Sequence, residues 1–218
     1  MLTTPKRPEI DHHTMKLIVG VIAISLAYLT SLFASSDISS ISASYHEGGW
    51  SQSIFVGFLF AISAFLLAYN GEWRSEMILS KVAALAALGV ALFPCQCGVH
   101  DQIIERVHAT SAAIMFLVLA FFCYKFFQRA RDKGHKQAKV RATIYALSGI
   151  TIVLAILVLL FNNVSGDLVS ARVPRLTFYG ERTALIAFGI SWLTASRFIP
   201  GLTRDDERFS FFGGPVPK

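Results

Sequence analysis

The sequence predicts an all-α polytopic membrane protein, a bundle of six transmembrane helices with both termini in the cytoplasm. Three observations predict it. Hydrophobic residues make up 54% of the 218-residue chain against 16% charged, with a mean hydropathy of +0.54, a balance unlike that of a soluble domain. The apolar residues gather in runs approaching the about twenty residues needed to cross a hydrocarbon core. The basic residues fall mostly in alternate connections between those runs, as the positive-inside rule requires. That pattern accounts for the net charge of +6 without nucleic acid as a partner.

Residues 1–16 are polar, with Lys6, Arg7, His12, His13 and Lys16 and no apolar periodicity, and are expected to form a cytoplasmic tail whose histidines are solvated. The run at 17–33 is uncharged and longer than the about 7–15 apolar residues of a cleaved signal, so it is expected to stay as the first helix. Further helices are expected at 53–69, 78–93, 107–127, 144–161 and 183–198. Lys81, near the start of the third, is expected to reach toward the headgroups. That escapes the roughly 2.5–3.5 kcal/mol cost of a charge at a helix centre. Pro94 ends that helix, since it lacks a backbone donor and disfavours helix at the residue before it. The transmembrane domain thus covers 17–199, and 200–218 is expected to be a flexible cytoplasmic tail whose Phe209, Phe211 and Phe212 meet the interface or a membrane-protein partner.

Counting Lys and Arg gives 3 before the first helix, 2 at Arg74 and Lys81, 7 at 125–141 and 4 in the C-terminal end. The other connections hold 0, 1 (Arg106) and 3 (Arg172, Arg175 and Arg182). The inner loop at 125–141 reads as a solvated topology signal beside anionic lipid. This orientation places three polar loops on the outer face.

The densest chemistry lies at 93–111, where Cys95, Cys97, His100, Asp101, Glu105 and His108 stand between two apolar runs. Cys95, Cys97 and His100 form C-x-C-x-x-H, a donor set suited to zinc or copper, with His46 or His108 to complete the shell. A Cys-x-Cys pair is too close for an easy mutual disulfide, and the plain alternative is two small residues in a tight turn after Pro94, free or bonded together despite strain. Cys123, deep in the fourth helix, reads as a packing residue. Asp101, Glu105 and Glu181 precede helices and can complement their dipoles. His46 and His108 gain nothing from that role and are candidate ligands at the outer mouth. Ser42 and His46 form S-x-x-x-H, one face of a turn if that loop is helical.

The chain resembles a bacterial family of six-helix membrane proteins, a domain of unknown function. The resemblance runs through I-S-A-S-Y at 41–45, F-V-G-F-L at 55–59, A-Y-N-G at 68–71, A-L-G-V-A-L-F-P at 87–94, His108, and E-R-T-A-L-I-A-F-G-I-S-W-L at 181–193. It implies a multi-pass protein of the bacterial inner membrane. Gln52 and Ser53 stand where that family carries Arg-Asp, and the Cys-Gln-Cys segment lies outside its pattern. More distantly, the S-x-x-x-H element is similar to that of the membrane hydrolases that include alkaline ceramidases and the progestin and adiponectin receptors. Those hold zinc with three histidines beside a serine and an aspartate, but the H-x-x-x-H of their last helix is absent here.

Two functions are therefore expected to compete. In the first, His46, His108 and a third ligand from Glu181 or the Cys95/Cys97 pair hold zinc or copper. With Ser42 nearby and Glu47, Asp101 or Glu105 as base, the site hydrolyses a lipid amide or ester. In the second, the bundle binds membrane lipid or serves as an accessory subunit of a larger membrane complex.

Overall fold

The structure, a computed structural model, describes residues 11–97, 104 and 106–208. It is all-helical, with no β-strand among the described residues. Six long helices, α1 (His12–Leu32), α3 (Gly49–Ala68), α4 (Arg74–Leu92), α5 (Val107–Lys133), α6 (Lys136–Val164) and α7 (Leu176–Ala195), pack in chain order, and α7 returns to α1 to close a ring. The short α2 (Ser44–Glu47) precedes α3. Five of the long helices are long and apolar enough to cross a membrane. The sixth, α7, has the length but carries Glu181 and Arg182.

Exposure follows polarity in reverse. α6 is the most apolar span, with a mean hydropathy of 2.7, yet only 17% of that stretch is buried. Its Leu147, Ile150, Leu154, Leu157 and Phe161 recur at helical spacing on the exposed side, the pattern of a face turned to hydrocarbon rather than to protein. α7 buries Phe188, Gly189, Ser191, Trp192, Thr194 and Ala195 against its neighbours.

Small residues and hydroxyls let the helices approach. A Cβ at Gly20 would stand 2.8 Å from Leu193 Cγ, and one at Gly189 would stand 2.5 Å from Ile24 Cγ1, so α1 and α7 are held backbone to backbone. Ser51 donates to the Thr30 carbonyl at 2.8 Å, Ser63 to the Ala84 carbonyl at 2.9 Å, and the Cys123 thiol to Ser191 Oγ at 3.3 Å. Cys123 is a buried free thiol, as expected, though its partner is polar.

Several boundaries differ from the expected ones. α1 begins at His12, because Asp11 caps it by accepting from His13 N at 3.1 Å and Thr14 N at 3.4 Å. Lys16 is thus a buried residue of the first helix, not part of a solvated tail. The basic stretch at 125–141 is also not a solvated loop. α5 and α6 run through it and leave only Gly134, at φ 71°, and His135, whose Nδ1 caps α6 by accepting from Ala138 N. Lys81 donates to the carbonyls of Leu67 and Tyr69 and to Asn70 Oδ1, satisfying the C-terminal end of α3.

At the end of the ring where α1 begins and α5 finishes, charge is buried. Glu76 is wholly inaccessible and pairs with Arg129, which also meets Glu72 at 3.1 Å. Gly71, at φ 65°, makes room for that carboxylate, since a Cβ there would lie 2.5 Å from Glu76 Cβ. The C-terminal segment is anchored as far as Arg208, in contrast to the flexible tail expected from residue 200. Arg141 donates to the Leu202 carbonyl at 2.7 Å and to Glu207 at 2.9 Å, and Lys133 also pairs with Glu207. Partial burial acts to raise the pKa of the Glu207 carboxyl, but the hydrogen bonds from Lys133 and Arg141 outweigh it and hold the group at about 2. Residues 209–218, including the three phenylalanines, lie outside the described residues.

Three variants probe this end. Glu76→Ala leaves Arg129 in a half-closed site with only Glu72, and thermal unfolding is expected to show a loss approaching the roughly 3–5 kcal/mol of a broken buried pair. Gly71→Ala is expected to destabilise too, through the Cβ contact and the left-handed backbone. An unchanged melting temperature in Glu76→Ala would remove the pair from the account. For Glu207 the folded pKa lies below the unfolded one, so its contribution is complete above the ordinary carboxyl range and is lost on acidification. The Tm difference between wild type and Glu207→Gln should therefore close as the pH falls from about 4.5 to about 2.

Candidate functional site

The opposite end of the ring gathers the residues that the sequence singles out. α4 ends at Leu92, just before Pro94, as expected, and the residues after Pro94 meet the segment around α2, through the Cys95 carbonyl with His46 and Cys97 with Ser40. His108, on the first turn of α5 and 5% exposed, hydrogen-bonds the Phe93 carbonyl through Nδ1 at 2.7 Å. His46, on α2, hydrogen-bonds the Cys95 carbonyl through Nε2 at 2.9 Å. A carbonyl can only accept, so each ring nitrogen is the protonated one and the tautomers are fixed. The two imidazoles lie near enough for their charges to interact. His108 Nε2 is left as a lone-pair nitrogen, buried and with no hydrogen-bond partner.

Ser42 and Glu181 form the second pair. Ser42 donates through Oγ to Glu181 Oε1 at 2.6 Å and through its backbone N to Oε2 at 3.0 Å, occupying both carboxylate oxygens. Glu181 is the sixth residue of α7, not its head, so the expected role at a helix start is corrected. α7 extends seven residues earlier than the expected 183, because Arg175 fixes its start by donating to the Ile38 carbonyl and Asp37, both at 2.9 Å. Ser42 precedes the helical turn on which His46 lies, so the S-x-x-x-H element is split between loop and α2.

Cys95 and Cys97 are joined to each other as a disulfide, with a Cα–Cα distance of 5.3 Å. The expectation that their spacing resists such a bond is corrected. The two Cα atoms fall within the usual disulfide range of about 4.4–6.8 Å. Cys97 Sγ also contacts Ser40 Oγ at 3.6 Å. Glu47 accepts from Ser35 N at 3.0 Å and Ser36 Oγ at 3.1 Å and closes the loop after α1. His100, Asp101 and Glu105 lie outside the described residues.

These placements decide how well the residues fit a metal. Among the described residues no three His, Cys, Asp or Glu side chains converge on one point. The disulfide removes both thiolates, and among the described residues no third donor joins His46 and His108, one short of the three protein ligands a catalytic zinc site takes. The described donor set does not fit zinc or copper. Nor does the open cavity at this end, of about 650 Å³, involve either histidine. It is lined by Ser39, Ser40, Gln96, Cys97, Asp167 and Ser170 among others.

Sequence reasoning missed the carbonyls of Phe93 and Cys95, which hold both imidazoles, because a backbone acceptor leaves no mark in composition. It also passed over Glu72 and Glu76, an acidic pair at helical spacing between two apolar runs and a legible signal of buried charge. Comparison of the chain with known protein families, characterised proteins and solved structures returns no match.

The disulfide yields a direct test. Without reductant, the denatured protein should take up one equivalent of iodoacetamide, at Cys123, and after reduction three. Three labelled thiols in the unreduced protein would show that the Cys95–Cys97 bond is absent.

Proposed function

We propose that this chain is a non-catalytic, lipid-binding protein of the bacterial inner membrane, or an accessory subunit there, with six spans and both termini in the cytoplasm. The observation that carries this reading is the pair of hydrogen bonds from Ser42 to Glu181, which ties α7 to the loop before α2. The neighbouring groups act alike. The Cys95–Cys97 bond and Glu47 on Ser35 and Ser36 each close a connection on itself, and Arg175 on Asp37 and Ile38 fastens one connection to another. Such a mouth is a set of clasps around the helix ends.

The sixth span is α7, which has the length to cross and is shielded from lipid by α1 and α6. The orientation rests on the excess of Lys and Arg in the connections at the Arg129 end. The inner-membrane assignment rests on the resemblance to the bacterial six-helix family.

One observation favours the second reading, a metal-assisted hydrolase of lipid amides or esters. His108 Nε2 is buried without a partner while a carbonyl holds Nδ1, the arrangement in which metal-ligating histidines are oriented. Elemental analysis of the detergent-purified protein, beside His46→Ala/His108→Ala, separates the two. With zinc and copper supplied, the lipid-binding reading expects less than stoichiometric metal and no difference between the proteins, together with co-purifying lipid. Near-stoichiometric metal that disappears in the double variant would overturn it in favour of the hydrolase.

A further inference from the structure

The Arg129 end holds more positive charge than its carboxylates balance. Lys16, Arg129, Lys133, Arg141 and Arg197 line one narrow cleft of about 40 Å³, with Tyr145 on its wall. Glu72 and Glu76 serve Arg129, and Glu207 serves Lys133 and Arg141. Among the described residues Lys16 and Arg197 form no ion pair, so five cations face three carboxylates.

Lys16 is the more telling of the two. It is 8% exposed, and its ammonium lies 5.5 Å from the Tyr69 ring centroid and 5.2 Å from that of Phe126. Two aromatic faces stabilise a cation only in part, and a buried charge is costly unless an opposite charge meets it. Beside it, Arg129 Nη1 is buried with no hydrogen-bond partner. Arg197 follows the cap of α7 at φ 57°, a left-handed position that glycine usually fills. Its charge suits the carbonyl end of α7, but that role does not require it to line the cleft.

The surroundings say what would meet these charges. The cleft adjoins an open vestibule of about 710 Å³, which shares Glu72, Arg129, Lys133 and Arg197 with it and adds two cations, Lys125 and Arg131, against one carboxylate, Asp132. On the other side, Tyr145 also borders an apolar groove of about 370 Å³ between α5 and α6, along Phe127, Gly149, Ile150, Val153 and Leu154. Phe127 joins that groove to the vestibule. A ligand that fits all three spaces has an anionic head and a hydrocarbon chain. Basic pockets between helices at the cytoplasmic surface recognise acidic lipid headgroups by the same chemistry.

We propose that this end of the bundle is a binding site for an anionic phospholipid. Its phosphate group is held by Lys16, Arg129 and Arg197, and one acyl chain lies in the α5–α6 groove. The proposal rests on the lipid-binding reading above and assigns to it a ligand class and a place.

The test is native mass spectrometry of the full chain in detergent, titrated with phosphatidylglycerol and, separately, phosphatidylcholine. Phosphatidylglycerol is expected to be retained at about tenfold lower concentration, the margin of one charge-assisted contact. Arg197→Gln should bring it down to the phosphatidylcholine level, while Arg172→Gln, exposed in the loop at the opposite end, leaves it unchanged. Lys16→Gln should do the same as Arg197→Gln, with a melting curve to verify that the buried substitution still folds. Equal retention of the two lipids, or full retention by Arg197→Gln, would overturn the anionic-headgroup assignment alone. A chain that keeps no lipid would overturn the lipid-binding reading as well. Displacement of phosphatidylglycerol by an equal concentration of glycerol phosphate or inorganic phosphate would assign the pocket to a soluble phosphate and overturn the lipid.

Discussion

The buried pair of Glu76 and Arg129 is the constraint on which one end of this protein depends. A carboxylate with no exposed surface must be met by charge and hydrogen bonds, or it would not remain ionised in an apolar bundle. Meeting it fixes several things together. The α3–α4 turn needs Gly71 in a left-handed conformation beside the carboxylate, and Glu72 donates its backbone N to Glu76 Oε2 at 3.1 Å. α5 must present Arg129 at that depth, which places Phe126 one turn earlier against Trp192 and Tyr145. Replacing such a pair by well-packed apolar groups is often neutral or stabilising. Its contribution here is therefore register: α4 and α5 cannot slide past each other without stranding a charge.

The opposite end is fastened by another kind of bond. Imidazoles on backbone carbonyls and a serine on a carboxylate tie helix ends to the connections beside them, and one disulfide closes a loop on itself. The two ends thus divide the work, one setting helix register and the other closing the connections. Between them the packing is carried by small residues and by hydroxyls that donate to carbonyls of adjacent helices, contacts worth roughly 0.6 kcal/mol each in such bundles.

Much of this fold is legible in the sequence, because uncharged apolar runs near membrane length have few other uses. Pro94, which ends α4, is legible for the same local reason. Helix ends are less so. His12 to Lys16 look like a tail until Asp11 is recognised as a cap, and the run of seven basic residues hides two helices, because charged residues at helical ends satisfy helix geometry as well as loops do. The candidate site is legible only as a list of residues. Which of them meet depends on contacts far apart in sequence, such as Ser42 with Glu181, and on carbonyls whose position follows from the fold and not from any side chain.

Closure of the ring by α1 and α7 bears on how the protein is made. Gly20 and Gly189 come from the first and last of the described long helices, so their backbones meet only after α3 to α6 have been made. Until then the α1 face that receives α7 has no partner. α7 carries Glu181 and Arg182, and its most apolar stretch is the least apolar among the described long helices. Each supplies what the other lacks: α1 waits as a template, and α7 docks on a surface already there. Ring closure is thus directed from α1, and a chain stalled before α7 leaves that template bare to whatever else the membrane contains.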